Sequence, residues 1–599
     1  FLVRLEGKSV APGGHGGQPS LTRLLGPGNA LDLGLAVARF AITPLRTVII
    51  AVDGLGYQSA LAAIHPDGEC DTFNELFQNA EGKELTALSP LPSITFTAWP
   101  GVFTGLSPSN HGWTGNSFFP RDITRNRARY PVISSNGFLD KRQQLGVVRH
   151  GSIISGTPND SLSMRERFLP GVRSIYNTMA GWLASSERPL TLTSVNAFVA
   201  GAISGDLNQT VHHFSILHVP GDSPAKAARL DQETAGTALA ALGVMGAPYH
   251  SMSLKLPPDD VMTLYFPGPD NVAHCVGGYA YEDWIPGTIG DDINPLPSAY
   301  EQVQRVTDPQ LKRYVDEIKR MGYFNACLFV LVSDHGMMAY KNVDGCNITP
   351  EDADGPEMKL LFDSLNIPLW EGEKNTLQTS NAVYSPNGGM AHIYLKGDSW
   401  QTPPARSRIV AVASLLYREA KGYQGQLYWE LGPDGLGSDG ALGAYPAIFV
   451  KIDGTNSFKE GFRWVAGLEQ GQLDLRTVDA FIVQTGVTWP EFKQRMEEMN
   501  HKCARGSRTG DIVIIMNAKQ GFLTVNCGDE QNGWHGGPTR AESEVPLMFS
   551  MPGPDLLPQT RAILQTSYYR YYNPGRKFRN WDMGEILVDM MRQFRLRNR

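Results

Sequence analysis

Five short apolar runs recur along the chain, each closed by turn-forming or acidic residues. They are 47–52 (TVIIAV), 261–266 (VMTLYF), 327–332 (CLFVLV), 511–516 (DIVIIM) and 545–550 (VPLMFS). Runs that are apolar on both faces predict strands covered on both sides, as in the middle of a parallel sheet. Helix-patterned stretches lie between and after them, for example over 302–321 and as a closing amphipathic helix from about 582 to 594. Strands alternating with helices predict an α/β fold, a doubly wound and mostly parallel sheet flanked by helices. Two long stretches, 121–250 and 346–510, break the alternation with turns, short strands and helices. They are read as two large insertions that wall a pocket and cap the active site. The catalytic core is then discontinuous, over 44–120, 251–345 and 511–599, preceded by an N-terminal arm at 1–43.

The polar residues that end these runs carry the chemistry. Asp53, Asp270 and the pair Asp334-His335 each stand just past a predicted strand, and open α/β sheets bind ligands at the carboxyl ends of their strands. Asp270 and His274 are four apart, within reach of one ion from a single helical turn. His535 sits in a glycine-rich loop, Asn532-Gly-Trp-His-Gly-Gly537. An aspartate after a strand is by itself usually a turn or cap residue. Three of them with nearby histidines suit a two-metal hydrolase, which needs nitrogen and carboxylate ligands at each ion and a nucleophile between the ions. The nucleophile segment is 92–105 (PSITFTAWPGVFTG). A hydroxyl opening a helix faces backbone N–H groups that suit an anion. Ser93, Thr95 and Thr97 can each also be no more than the helix cap.

Composition narrows the class. The 599 residues are 42% hydrophobic and 19% charged, which excludes a disordered chain. The formal charge of -7 argues against binding a nucleic-acid duplex. Six cysteines with no CxxC spacing give neither a disulfide scaffold nor a thiolate zinc site. No apolar stretch is long enough to span a membrane. The chain is expected to be soluble, either cytoplasmic or exported after removal of a signal peptide, with its oligomeric state open.

The order Asp53, Thr95, Asn116, Asp270-x3-His274, Asp334-His335, His535 resembles the alkaline phosphatase superfamily. Within it, Pro92-Ser-Ile-Thr95-Phe96, Thr104-Gly105, Pro108, His111-Gly112 and Asn116 resemble the nucleophile segment of the nucleotide pyrophosphatase/phosphodiesterase branch. The resemblance implies an alkaline phosphatase-like fold and two zinc ions, one held by Asp53, Asp334 and His335 and the other by Asp270, His274 and His535. It places Thr95 between the ions as nucleophile and ligand, and Asn116 on a phosphoryl oxygen. Phe96 and Tyr265 match positions that stack a nucleotide base, though both also suit pocket lining or core. Three histidines suit zinc better than manganese. The implied substrate is a small phosphate ester, cleaved at a phosphodiester or pyrophosphate bond. The alternative is a phosphonate or phosphomonoester hydrolase using the same two-metal site. No Lys or Arg lies between Pro92 and Pro120 to meet the extra charge of a monoester, which favours diesters. Thr97-Ala-Trp99 where the branch usually has Pro-Asn-His, and the segment after His535, depart from the pattern and leave the substrate open. No Cys/Ser-x-Pro-x-Arg segment is present, which disfavours a sulfatase.

Overall fold

A computed structural model describes residues 46–116, 118–122, 168–183, 192–195, 211–214, 224–242, 260–276, 297–339, 358–370, 378–422, 447–452, 454, 456–504, 506–516, 533–553 and 558–596. The arm expected at 1–43 lies outside these residues. Twelve described strands have four residues or more: β1 (Arg46–Val52), β2 (Leu192–Val195), β3 (Val211–Phe214), β4 (Val261–Phe266), β5 (Cys327–Val332), β6 (Ala382–Asn387), β7 (Met390–Leu395), β8 (Ala447–Val450), β9 (Arg463–Glu469), β10 (Gln472–Arg476), β11 (Ile512–Ile515) and β12 (Leu547–Ser550). Seven helices frame the sheets and the site: α1 (Thr95–Thr104), α2 (Pro224–Ala241), α3 (Gly268–Val276), α4 (Asp308–Arg320), α5 (Arg406–Gly422), α6 (Phe492–Met499) and α7 (Asp582–Leu596). No helix among the described residues is long and apolar enough to cross a membrane.

The strands form two six-stranded sheets. The first has the order β12-β5-β1-β4-β2-β3. Its inner pairs are parallel, and β12 closes one edge antiparallel to β5. Alternate residues of β1 feed two separate cores. Val48, Ile50 and Val52 pack with Leu311, Tyr314, Val315 and Ile318 of α4 on one face. Ile49 and Ala51 pack with Met583, Ile586, Leu587 and Met590 of α7 on the other. Each apolar run therefore needs no polar side, as its pattern predicts. The closing helix falls where the sequence puts it.

Two placements differ from the sequence reading. The run at 511–516 is not a strand of the catalytic sheet. As β11 it lies inside the second, antiparallel sheet, of order β10-β9-β8-β11-β7-β6. Its alternate residues are also buried on both sides, Ile512 and Ile514 in one core and Val513 and Ile515 in another. A run without a polar face reports double burial and says nothing of strand direction. Conversely, the stretch 121–250, read as an insertion, supplies β2 and β3 to the first sheet. At four residues each, LTSV and VHHF are too short to show a period.

A buried carboxylate sets the start of α3. Asp231 of α2 accepts hydrogen bonds from Gly268 N (2.9 Å), Gln302 Nε2 (3.1 Å) and Thr307 Oγ1 (2.7 Å). Burial nevertheless pushes its carboxyl up to about 6. Its folded pKa lies above its unfolded one, so stability falls as the pH rises from about 4 to about 6, and the penalty is complete above that. Wild-type protein should therefore lose about 1–3 kcal/mol of stability relative to Asp231→Asn as the pH rises from 4 to 7. Denaturant unfolding of both proteins across that range measures the difference, and parallel curves would refute it.

Candidate metal centre

Three neighbouring strands deliver the acidic residues to one end of the first sheet. Asp53 follows β1, and Asp334 and His335 follow β5. After β4, Asp270 and His274 occupy the first and last turns of α3. The strand-end loops are tied to each other. Leu55 N donates to Ser333 Oγ (3.1 Å) and Gly54 N to Asp334 Oδ1 (3.2 Å). Asn580 Nδ2 donates to the Ser333 and Asp334 carbonyls (3.3 and 3.1 Å). Gly54 has φ +69°, and a Cβ there would stand 2.8 Å from Asp270 Cα, so only glycine lets the β1 and β4 ends approach. His535 arrives from a different quarter, next to the two-residue strand Gly533–Trp534 that pairs with Met338–Ala339.

The side chains converge. His335 Nε2 lies 3.4 Å from Asp53 Oδ1, 3.3 Å from Asp334 Oδ2 and 4.0 Å from Asp270 Oδ1. Asp270 Oδ1 also lies 3.4 Å from His274 Nε2 and 3.6 Å from His535 Nε2. The rings of His335 and His535 stack with centroids 3.6 Å apart. Two groups have ligand atoms close enough to hold an ion, Asp53 with Asp334 and His335, and Asp270 with His335 and His535. His274 borders the second group through Asp270. All of the acidic and histidine residues singled out in the sequence thus meet in one cluster.

The electrostatics fit cations. Burial and the neighbouring Asp270 push the Asp53 carboxyl up to about 7. Burial alone takes Asp270 to about 7. Asp334 rises well above the usual carboxylate range through burial and the charge of Asp53. Asp53 Oδ1, Asp270 Oδ1 and Asp334 Oδ2 are buried and accept no hydrogen bond. No Lys or Arg pairs with any of the three among the described residues. Buried carboxylate oxygens left in this state are costly unless a positive charge meets them. Burial also drives the histidines down, His274 to about 4, His335 to about 3 and His535 well below its ordinary value, so all three are neutral.

Each neutral imidazole is held by its outer nitrogen on a backbone carbonyl. His274 Nδ1 faces Gly533 O (2.8 Å), His335 Nδ1 faces Gly336 O (3.0 Å) and His535 Nδ1 faces Ser93 O (3.2 Å). A carbonyl only accepts, so Nδ1 carries the proton and Nε2 presents its lone pair to the cluster. That tether is how proteins orient histidine ligands of metals. The donor set therefore suits metal ions.

Among the three hydroxyls left open by the sequence, position separates Thr95. Ser93 is fully buried and donates to Pro90 O (3.0 Å). Thr97 is fully buried as well. Thr95 opens α1, is partly exposed, and its Oγ1 lies 3.1 Å from His335 Nε2. Asn116 is held beside it by Phe96 N, which donates to Asn116 Oδ1 (2.7 Å). An N–H at Oδ1 fixes the amide so that its NH2 remains the donor end. The Phe96 ring stacks on Trp113, centroids 5.9 Å apart. Tyr265 is buried edge-on against Trp99, and its hydroxyl donates to Asp53 Oδ2. The sequence reading missed Ser333, Asn580 and the three carbonyl tethers. None has a signal of its own in a linear pattern.

Residues that could hold metal ions thus gather at one end of an α/β sheet. The description "Type I phosphodiesterase / nucleotide pyrophosphatase" matches residues 47–421, more than half of the chain, and the chain belongs to that family of the alkaline phosphatase superfamily. Among solved structures, it is similar to phosphonoacetate hydrolase from Sinorhizobium meliloti in complex with phosphonoformate, at 15% identity over 92% of this chain and 96% of that one, with TM-score 0.43. It is also similar to murine ectonucleotide pyrophosphatase / phosphodiesterase 5, at 13% identity over 84% and 88% of the two chains, with TM-score 0.40. The human counterpart gives 12% over 90% and 99%, with TM-score 0.40. No curated protein matches the chain.

Proposed function

We propose that the protein hydrolyses phosphodiester or pyrophosphate bonds with Thr95 as nucleophile between two metal ions. Asp53, Asp334 and His335 would hold one ion, and Asp270, His274 and His535 the other. The observation that carries this reading is the set of three histidines, each fixed through Nδ1, with Nε2 turned to carboxylates that each keep one buried oxygen without a hydrogen bond. Nitrogen-rich sites favour zinc over manganese. When bound, the ions supply the positive charge that the attacking and leaving oxygens need, and they make a hydroxyl more acidic.

The chain's own residues do the rest. Thr95 Oγ gives up its proton and attacks phosphorus in line as the bond to the leaving oxygen breaks; the leaving group departs protonated, and water then hydrolyses the phosphothreonine, releasing the remaining phosphate ester and restoring the hydroxyl. The Asn116 NH2 donates to a phosphoryl oxygen, with its orientation held by Phe96 N. Phe96 on Trp113 gives an aromatic wall for the leaving group. Tyr265 orients Asp53 through its hydroxyl, and its burial leaves little ring face for a base. Among the described residues, the guanidinium of Arg495 reaches the nucleophile segment and is committed to neutral acceptors. A singly charged diester therefore suits the site better than a dianionic monoester.

A panel of bis-aryl phosphate, nucleotide diesters, aryl phosphate and a phosphonate, run with metal analysis on the same sample, tests the reading. Diesters should lead the aryl monoester by at least about tenfold in kcat/KM, a margin of about 1.4 kcal/mol. Preference for the monoester or the phosphonate would install the alternative. A protein without transition metal and without activity on any of them would remove both.

A further inference from the structure

The geometry points to Arg495 as a positioning residue that clamps the nucleophile loop and the His535 loop together from the second sheet's side of the molecule. The inference rests on the reading of the site given above.

Arg495 lies on α6, and its side chain is among the largest that are fully buried. Its guanidinium reaches two separate loops. Toward the segment before Thr95, Nε donates to Ser89 O (3.0 Å), and Nη2 donates to Pro90 O (3.1 Å) and Ser93 Oγ (2.7 Å). Toward the segment after His535, Nη1 donates to Pro538 O (3.3 Å). The two loops also meet each other, because His535 Nδ1 rests on Ser93 O. One planar group thus fixes the backbone six and five residues before the nucleophile, the Ser93 hydroxyl two residues before it, and the backbone three residues after His535. The fork geometry that spans both is available to arginine and not to lysine.

All four acceptors are neutral, and Arg495 forms no ion pair among the described residues. Its neighbours on the same helical face, Glu491 and Glu498, are both engaged by Arg579 (2.8 Å each). Glu498, Glu542 and Glu491 attract its charge without pairing with it directly, while burial and the neighbouring Arg579 oppose it, so the charge is costly to hold where it stands. The polar hold runs in both directions, with Arg495 reaching from α6 into the catalytic loops and Arg579 reaching back to α6. Glycines tighten the same joint. Gly389 N faces His535 O (3.4 Å), and a Cβ on Gly536 would stand 2.1 Å from Asn387 O.

The test compares Arg495→Met, Arg495→Lys and Phe481→Leu in the full-length, metal-loaded protein. Phe481 packs against Phe449, Trp464, Trp489 and Phe492 in the core beside α6, and controls for lost stability. Metal loss to a chelator and steady-state kinetics are read well below each protein's melting temperature. Removing an outer partner of a metal ligand typically costs about 10–100-fold in metal affinity or activity. Arg495→Met should fall in that range in kcat and metal retention, with KM within about threefold. Arg495→Lys can serve one loop only and should recover part of the loss. Phe481→Leu should stay within about twofold of wild type in both readouts. Wild-type kcat and metal retention in Arg495→Met would overturn the clamp, as would equal losses in Phe481→Leu. Should Arg495→Met not fold, Arg495→Lys decides, with wild-type behaviour counting against the clamp. A wild-type protein that neither holds metal nor cleaves phosphate esters defeats the site reading instead.

Discussion

Thr95→Ala should abolish turnover while the protein keeps its metal. Removing a catalytic nucleophile costs on the order of 10⁴–10⁶-fold in kcat when the step depends on it. The six other ligand candidates form a cluster without the threonine. Asp53, Asp334 and His335 approach one another independently of Oγ1, as do Asp270, His335 and His535. The main chain around Thr95 is fixed elsewhere, by Asn116 on Phe96 N and by the Ser93 contacts. Metal content by elemental analysis should therefore match wild type, with catalysis gone. Residual activity within tenfold of wild type would mean that a water, and not the threonine, attacks phosphorus. Loss of metal together with activity would mean that Oγ1 is a principal ligand.

Asp270→Asn should reverse the order of stability between metal-free and metal-loaded protein. In wild-type protein stripped of metal at pH 8, the Asp270 carboxylate is ionised although burial places its pKa near 7. The folded state then carries a penalty that the unfolded chain does not. The amide carries no charge, so the stripped variant should be more stable than stripped wild type by on the order of 1–3 kcal/mol. With metal present the ranking inverts, because tight binding to the folded state alone adds stability that the variant forgoes. Activity should fall by at least about 10²-fold, in line with loss of charge stabilisation at the reacting phosphate. Melting curves of both proteins, with chelator and with excess metal, give the four values required. A variant less stable than wild type in chelator would show that the acidic cluster is not electrostatically frustrated.

The parts of this architecture legible in the sequence are those where one residue type has one physical reason. Apolar runs ending in Asp53, Asp270 and Asp334-His335 located the sheet end, because doubly buried strands must end before a charge can appear. His535 was legible through its glycines, which signal close backbone approach. Residues 511–516 were misplaced because the inside of a covered antiparallel sheet demands the same side chains as the inside of a parallel one. β2 and β3 were lost because four residues carry no period. The carbonyls that hold the three imidazoles were out of reach for a different reason. They belong to Ser93, Gly336 and Gly533, whose side chains do not reveal what their backbones do. Arg495 was equally silent, since a lone arginine on a short amphipathic helix usually faces water.

The contact between the two sheets has a consequence for how the protein comes into being. Asp53, Thr95 and Asp270 emerge early from the ribosome, whereas α6 follows five of the six strands of the second sheet and the His535 loop follows all of them. A nascent chain carries all three carboxylates and the hydroxyl long before His535 can join them. On the proposed reading the site is completed only late in biosynthesis, and a chain ending between residues 336 and 534 carries the acidic residues without the last histidine.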